Sequence, residues 1–384
     1  MTQTSTNIYP NLSEWKKTLQ QNMVGKKISD LRTPSLVIDR ARLEKNCRQL
    51  GKIPTELKTK VRIHVKTHKT TEAARIQLEN AKSDAIVVST LAEAHYMINS
   101  GLVETQLLKE VLLGIPITPD KFADALELSK KISHFQIFIG KRAGVPLGQD
   151  ESIHLAKRLQ DSPHIHFLGI YGHAGQSYAS ENAENALEYL QRECHLARTF
   201  RDYFSQHGIT IHNISIGATP TVKAILRFID DERVKEILEG ITEVHAGAYA
   251  LLDRQQVATG LGTLSDVAVS VACRVSSVYP SRDSVLVDGG ALAFSKDIAP
   301  QGGFGYVFKD LDQKEPIATL TSVSQEHGVI KGLNDKELTQ FNIGDIVYVV
   351  PNHGCLTNAC HLFYLVIEDR KDTVVDVWVP VKGW

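Results

Sequence analysis

Between residues 41 and 250, short apolar runs alternate with helix-length stretches in which apolar positions recur every three or four residues. The runs at 62–66, 85–89, 110–116, 135–139, 167–171, 212–216 and 242–245 predict strands. The clearest helix covers 184–207, where Leu187, Leu190, Cys194, Ala197 and Phe204 share one face and Gly208 supplies the stop. Repeated strand–helix units demand parallel strands joined by crossover helices. Six or more in series, without a second Rossmann-type glycine loop, predict closure into a (β/α)8-type barrel.

The strand count stops at seven. After 135–139 the chain runs directly into Gly140-Lys141-Arg142-Ala143-Gly144, with no helix-length segment before residue 152. The expected barrel therefore lacks one helix–strand unit, which leaves unpaired edges on the two neighbouring strands.

After residue 260 the period changes to two: Val267, Val269, Val271, Cys273 and Val275 alternate with smaller or polar residues. Further runs at 284–288, 317–323, 345–350, 362–368 and 373–379, separated by turn residues, predict an antiparallel β domain. The run at 35–39 is another strand, compatible with either domain. The expected division is an N-terminal segment 1–40 whose strand joins the β domain, a barrel at 41–260, and the β domain at 261–384.

Composition removes several function classes. With 43 basic and 44 acidic residues there is no field to attract nucleic acid or an anionic membrane. No apolar stretch approaches the roughly 18 residues of a spanning helix, and residues 1–21 lack a signal-peptide core. Five cysteines in so long a chain do not form a disulfide framework, which points to a reduced, cytoplasmic protein.

Three places carry candidate chemistry. In the run Arg62-Ile63-His64-Val65-Lys66, alternation puts Arg62, His64 and Lys66 on one face. The outer face of a barrel is apolar, so the lysine face is interior, with Lys66 at the C-terminal rim where barrel enzymes keep their chemistry. A lysine there, its pKa lowered by burial or by Arg62, His64, His68 and Lys69, can form a Schiff base. The plain alternative is a solvated basic loop. Next, Ser215-Ile216-Gly217-Ala218-Thr219-Pro220-Thr221 and His245-Ala246-Gly247-Ala248-Tyr249 end consecutive late strands with glycines and hydroxyls, the chemistry of a phosphate cradle. The segment from Tyr171 to Tyr178 adds aromatic groups at the same rim, so a flat aromatic phosphate ester suits it. Last, His353 and Cys355 stand two apart and are ligands of the kind zinc prefers. A third ligand could be Cys360, His361, His327, Glu326 or the substrate. Alternatively, Cys355 is a small buried hydrophobe and His353 a hydrogen-bonded loop residue.

Together with Thr33-Pro34-Ser35-Leu36-Val37, Val88-Ser89-Thr90-Leu91, Gln255 to Gly260, Ser324 to Gly328 and Asp376-Val377-Trp378, these segments resemble the fungal-type D-serine dehydratases. That family belongs to the alanine-racemase-like, fold-type III pyridoxal-phosphate enzymes. The resemblance implies that Lys66 carries pyridoxal 5'-phosphate and that His353 with Cys355 binds zinc. It places Tyr171, Tyr178, Gly217, Thr219, Gly247 and Tyr249 around the cofactor. It also implies a homodimer and the conversion of D-serine to pyruvate and ammonia. The family carries a helix and a strand where Gly140 here joins two segments directly, which displaces Arg142. A D-threonine-aldolase-like lyase, or a catalytically impaired cofactor-binding variant, are the rival readings.

Overall fold

The computed structural model describes residues 11–138 and 144–384. Seven parallel strands form one sheet: β2 (Lys60–His64), β3 (Ala85–Val88), β4 (Glu110–Pro116), β5 (His134–Phe138), β6 (Gly169–Tyr171), β7 (Asn213–Ile216) and β8 (Glu243–Ala246). Their order is β5-β4-β3-β2-β8-β7-β6, so β2 is central and β5 and β6 are the free ends. This is a barrel opened along one seam, between the two strands that flank the expected gap. The join at Gly140 and the position of Arg142 lie outside the described residues.

Burial records the seam. Every residue of β3 and β8 is buried, whereas β5 and β6 contain none that is. A strand without a neighbour loses the side-chain cover that neighbour and its crossover helix provide. Across the gap, the rings of Phe138 and Tyr171 meet edge-on with centroids 6.1 Å apart, a side-chain contact where the described residues form no backbone ladder.

Inside the barrel Arg62, 1% exposed, is held by Glu243 at 2.8 Å and Glu110 at 2.7 Å. Its partners Ile63 and Val65 face the helices and are fully buried, as alternation along the strand requires.

The second sheet contains β1 (Ser35–Asp39), β9 (Val269–Tyr279), β10 (Ser284–Val287), β11 (Gly305–Phe308), β12 (Ala318–Val323), β13 (Gly328–Lys331), β14 (Ile346–Pro351), β15 (Tyr364–Ile367) and β16 (Asp376–Trp378). Strand β9 pairs with both β14 and β10, closing β9-β10-β13-β12-β11-β14 into an antiparallel ring. Strand β1 joins this sheet between β9 and β15, and its pairing with β15 is parallel, an exception to the antiparallel pattern expected there. The end of β14 delivers His353 and the helix Gly354–Cys360 to the rim of the parallel sheet.

Candidate active site

Lys66 lies in the turn just after β2 and makes no hydrogen bond or ion pair among the described residues. Its surroundings differ from the cationic set expected. Arg62 is neutralised by two carboxylates. His68 is fully buried under the helix Thr71–Ala81, bonded to Gln77 at 2.8 Å, and burial pushes it down to about 4. Lys69 pairs with Glu93 at 2.9 Å. His64 is held well below the usual histidine range by burial, then by Lys66, His173 and Arg62. Lys66 therefore stands among neutral or compensated groups.

Beside it is a stack of rings. Tyr171 lies face to face with His245, centroids 4.2 Å apart and planes 7° apart. Its hydroxyl is 3.0 Å from His64 Nε2. Burial lowers His245 well below its ordinary value, with His64, His173 and Arg62 acting in the same direction, so two uncharged histidines face the tyrosine. Among the described residues, His64 Nδ1 and His245 Nε2 are buried without a hydrogen-bond partner. A flat ring stack beside unpartnered polar atoms offers stacking and hydrogen bonds of the kind a heteroaromatic ring uses.

The two glycine turns pack closely. A Cβ at Gly217, whose φ is +138°, would lie 2.5 Å from the His245 carbonyl oxygen, and one at Gly247 would lie 2.6 Å from His64 Cβ. Both positions require the absence of a side chain. The helix Thr219–Arg227 starts at the first turn, and the Tyr178 hydroxyl lies against the Thr219 side chain and main chain. The amide of Gly217 is not open to a phosphate, because Glu193 takes it at 3.2 Å. That leaves the helix N-terminus as the anion-binding end.

Tyr249 does not join this group. It is 1% exposed, with its hydroxyl beside Cys47 and Gln77 in the core behind the barrel. It lies three residues beyond the end of β8, in a turn that seats its side chain in that core, whereas the expectation put it around the cofactor.

The metal candidates arrive from the other sheet. The side chains of His353 and Cys355 are electrostatic neighbours. Asp297 Oδ2 is 3.1 Å from His353 Nδ1, the carboxylate–histidine arrangement that orients a metal ligand and leaves Nε2 for the ion. Gly354 donates its amide to buried Asp253 at 2.7 Å, fixing the turn between the two ligands. No group of three or more histidine, cysteine or acidic side chains of metal-binding geometry occurs among the described residues. The expected third ligands are elsewhere: His361 Nε2 bonds the Ala293 carbonyl at 3.0 Å, Cys360 turns to Leu356 O at 3.4 Å, and Glu326 takes Gln325 at 2.7 Å. His327 likewise forms no such group with the pair. Two protein ligands with a carboxylate behind one of them fit a zinc ion whose remaining positions are open.

The two chemistries touch. Thr67, next to Lys66, sets its hydroxyl 3.1 Å from Cys355 Sγ, and Asn358 Nδ2 donates to the Thr67 carbonyl at 2.7 Å. Sequence reasoning missed Thr67, Asp297, Asp253 and Glu193. Thr67 was within reach as the hydroxyl beside Lys66, but Asp297 belongs to no pattern around it.

A family profile described as a putative serine dehydratase domain matches residues 268–367, and one described as the alanine racemase N-terminal domain matches 38–234. The chain is 32% identical to D-serine dehydratase from Schizosaccharomyces pombe, over 99% of this chain and 98% of the relative. That alignment runs to 421 residues, more than the 384 present here, so the relative contains stretches without a counterpart. Among solved structures, an alanine-racemase-like protein from Idiomarina loihiensis superposes with a TM-score of 0.81 at 29% identity, covering 93% of this chain and 99% of that one. D-threo-3-hydroxyaspartate dehydratase from Delftia gives 0.82 at 25%, covering 94% and 100%; the same enzyme is solved as a cysteine-to-alanine mutant in the metal-free form.

Proposed function

The chain belongs to the family of the D-serine dehydratases, and from that premise we propose that it eliminates water from D-serine, yielding pyruvate and ammonia. The observation that carries this reading is the 3.1 Å contact between Thr67 and Cys355, which sets the lysine loop against the metal pair although 288 residues separate the two. Lys66 would hold pyridoxal 5'-phosphate, which would supply an electron sink, and His353 with Cys355 would hold zinc, which would supply a Lewis acid.

The protein's own groups do the rest. Lys66, in no ion pair among the described residues, is the base that takes the α-proton. Tyr171, sandwiched against His245 and bonded to His64, fixes the plane in which a ring lies. The N-terminus of the helix at Thr219, with Tyr178, receives the phosphate, and the glycines at 217 and 247 let the main chain close in. Asp297 holds the His353 ring, while Thr67 fixes the Cys355 sulfur.

A second copy of the chain completes the mouth. Leu292, Ile298, Leu356 and Leu362 are 60%, 57%, 43% and 62% exposed on the segments around the metal pair, an apolar rim that a homodimer would cover. None of the five cysteines is paired and no helix among the described residues is long and apolar enough to cross a membrane, which suits a cytoplasmic enzyme. The experiment is to assay pyruvate from D-serine and glycine from D-threonine side by side. Pyruvate supports the dehydratase; glycine alone would make it an aldolase. Neither product, with cofactor bound, would make it an impaired variant, and then restoring a helix–strand unit at residue 140 should bring activity back.

A further inference from the structure

The long helix Ala183–Gln206 turns one acid towards the strand ends. Glu193 Oε1 accepts the Gly217 amide at 3.2 Å, and the Ala174 amide reaches the same carboxyl. The second oxygen, Oε2, is buried with no hydrogen-bond partner among the described residues. The acid thus braces the turn after β6 against the turn after β7, the two turns that frame the helix N-terminus at Thr219. Its titratable neighbours are Tyr171 from the end of β6, His173 from the turn, whose Nδ1 is 2.8 Å from the Gly217 carbonyl oxygen, and Cys194 beside it on its own helix. It forms no ion pair among the described residues.

A carboxylate so placed is a like charge next to the spot where a phosphate dianion would sit. Burial already pushes Glu193 up to about 7, against the two amide hydrogen bonds that favour its ionised form. A neighbouring dianion pushes in the same direction. We propose that Glu193 takes up a proton when the anion site at Thr219 fills, so that phosphate binding is linked to the uptake of one proton. The proton comes from solvent and lands on Oε2, the oxygen that has no partner. This rests on the phosphate reading above, and makes Glu193 a positioning residue rather than one that touches the reacting atoms.

The probe is pyridoxine 5'-phosphate, whose alcohol cannot condense with Lys66, compared with pyridoxine. At about pH 8 the free phosphate is already a dianion, so its own ionisation adds nothing. Titration calorimetry in two buffers of different ionisation enthalpy should show close to one proton taken up with the phosphate ester. The dissociation constant should rise about tenfold per pH unit above pH 8. Glu193→Gln should bind with no uptake and a nearly flat pH dependence. Uptake that persists unchanged in Glu193→Gln, or its absence in the unaltered protein, overturns the linkage while leaving the phosphate site standing. Should the variant not fold, the proton count in the unaltered protein, with and without the 5'-phosphate, decides alone. Equal affinity for pyridoxine and its phosphate would instead overturn the phosphate site itself.

Discussion

The hydroxyl of Thr67 lies 3.1 Å from the sulfur of Cys355, and this contact joins the parallel barrel to the β domain at the point where the chemistry is expected. A hydroxyl on a metal-bound thiolate restrains the sulfur and tempers its donor strength. Thr67→Val should weaken zinc binding by about 10–100-fold, the range for lost outer-shell partners, with Thr67→Ser close to the unaltered protein. Zinc affinity measured by chelator competition checks this. Equal affinity in all three proteins would make the contact incidental.

Asp297 acts on the other ligand. Asp297→Asn keeps the size but removes the charge behind His353 Nδ1, and a loss of about 10–100-fold in zinc affinity is expected. The pyridoxal-phosphate content should not change, since among the described residues the Asp297 carboxylate contacts Asn352 and His353 and not Lys66. Absorbance of the bound cofactor, read beside metal content, separates the two effects.

Lys66→Ala should lose the visible absorbance of covalently held cofactor and lower pyruvate formation by at least about 10³-fold, within the range supplied by a positioned base. Lys69→Ala, which breaks only the ion pair with Glu93, should retain most activity. If the two variants behaved alike, the assignment of the nucleophile to Lys66 would be wrong.

Stability should fall in mild acid. His68 is fully buried and lowered to about 4 by burial, against an unfolded value near 6.5. A depressed histidine stabilises the fold fully above the unfolded pKa, and that contribution is lost as pH drops from about 6.5 towards 4, by up to ~1.4 kcal/mol per pH unit. His361, also lowered to about 4 by burial, adds a second such contribution. His68→Gln should remove only the first, so urea unfolding at pH 7.5 and 5.0 should show a shallower pH slope in the variant.

The open seam predicts uneven dynamics. Backbone amides of β5 and β6 should exchange with deuterium far sooner than those of β2, β3 and β8, since opening at an edge exposes little core. Comparable protection on all seven strands would mean that something pairs with the free edges.

Much of this was legible in the chain because parallel barrel strands are short, apolar and regularly spaced. The run at 110–116 matches β4 residue for residue, and the helix at 184–207 is displaced by one residue from Ala183–Gln206. Strands β11 and β13 escaped: each has four residues and begins with glycine, too short for alternation to register. Lys66 could be picked out by its place at the end of an alternating strand, and His353 with Cys355 by two metal-ligand types standing two apart. Their supports could not, since Asp297 and Glu193 acquire meaning only from tertiary contacts, and the burial of Tyr249 follows from a turn beyond β8 where alternation gives no guide. The charges around Lys66 were visible, but not the carboxylates that cancel them.

The most direct measurement is pyruvate formation from D-serine by the purified chain loaded with pyridoxal 5'-phosphate, before zinc removal, after it, and after zinc is returned. One substrate held between Lys66 and the His353–Cys355 pair predicts activity that disappears with the metal and returns with it, while the cofactor stays bound. Undiminished pyruvate formation from the metal-free protein would contradict that account.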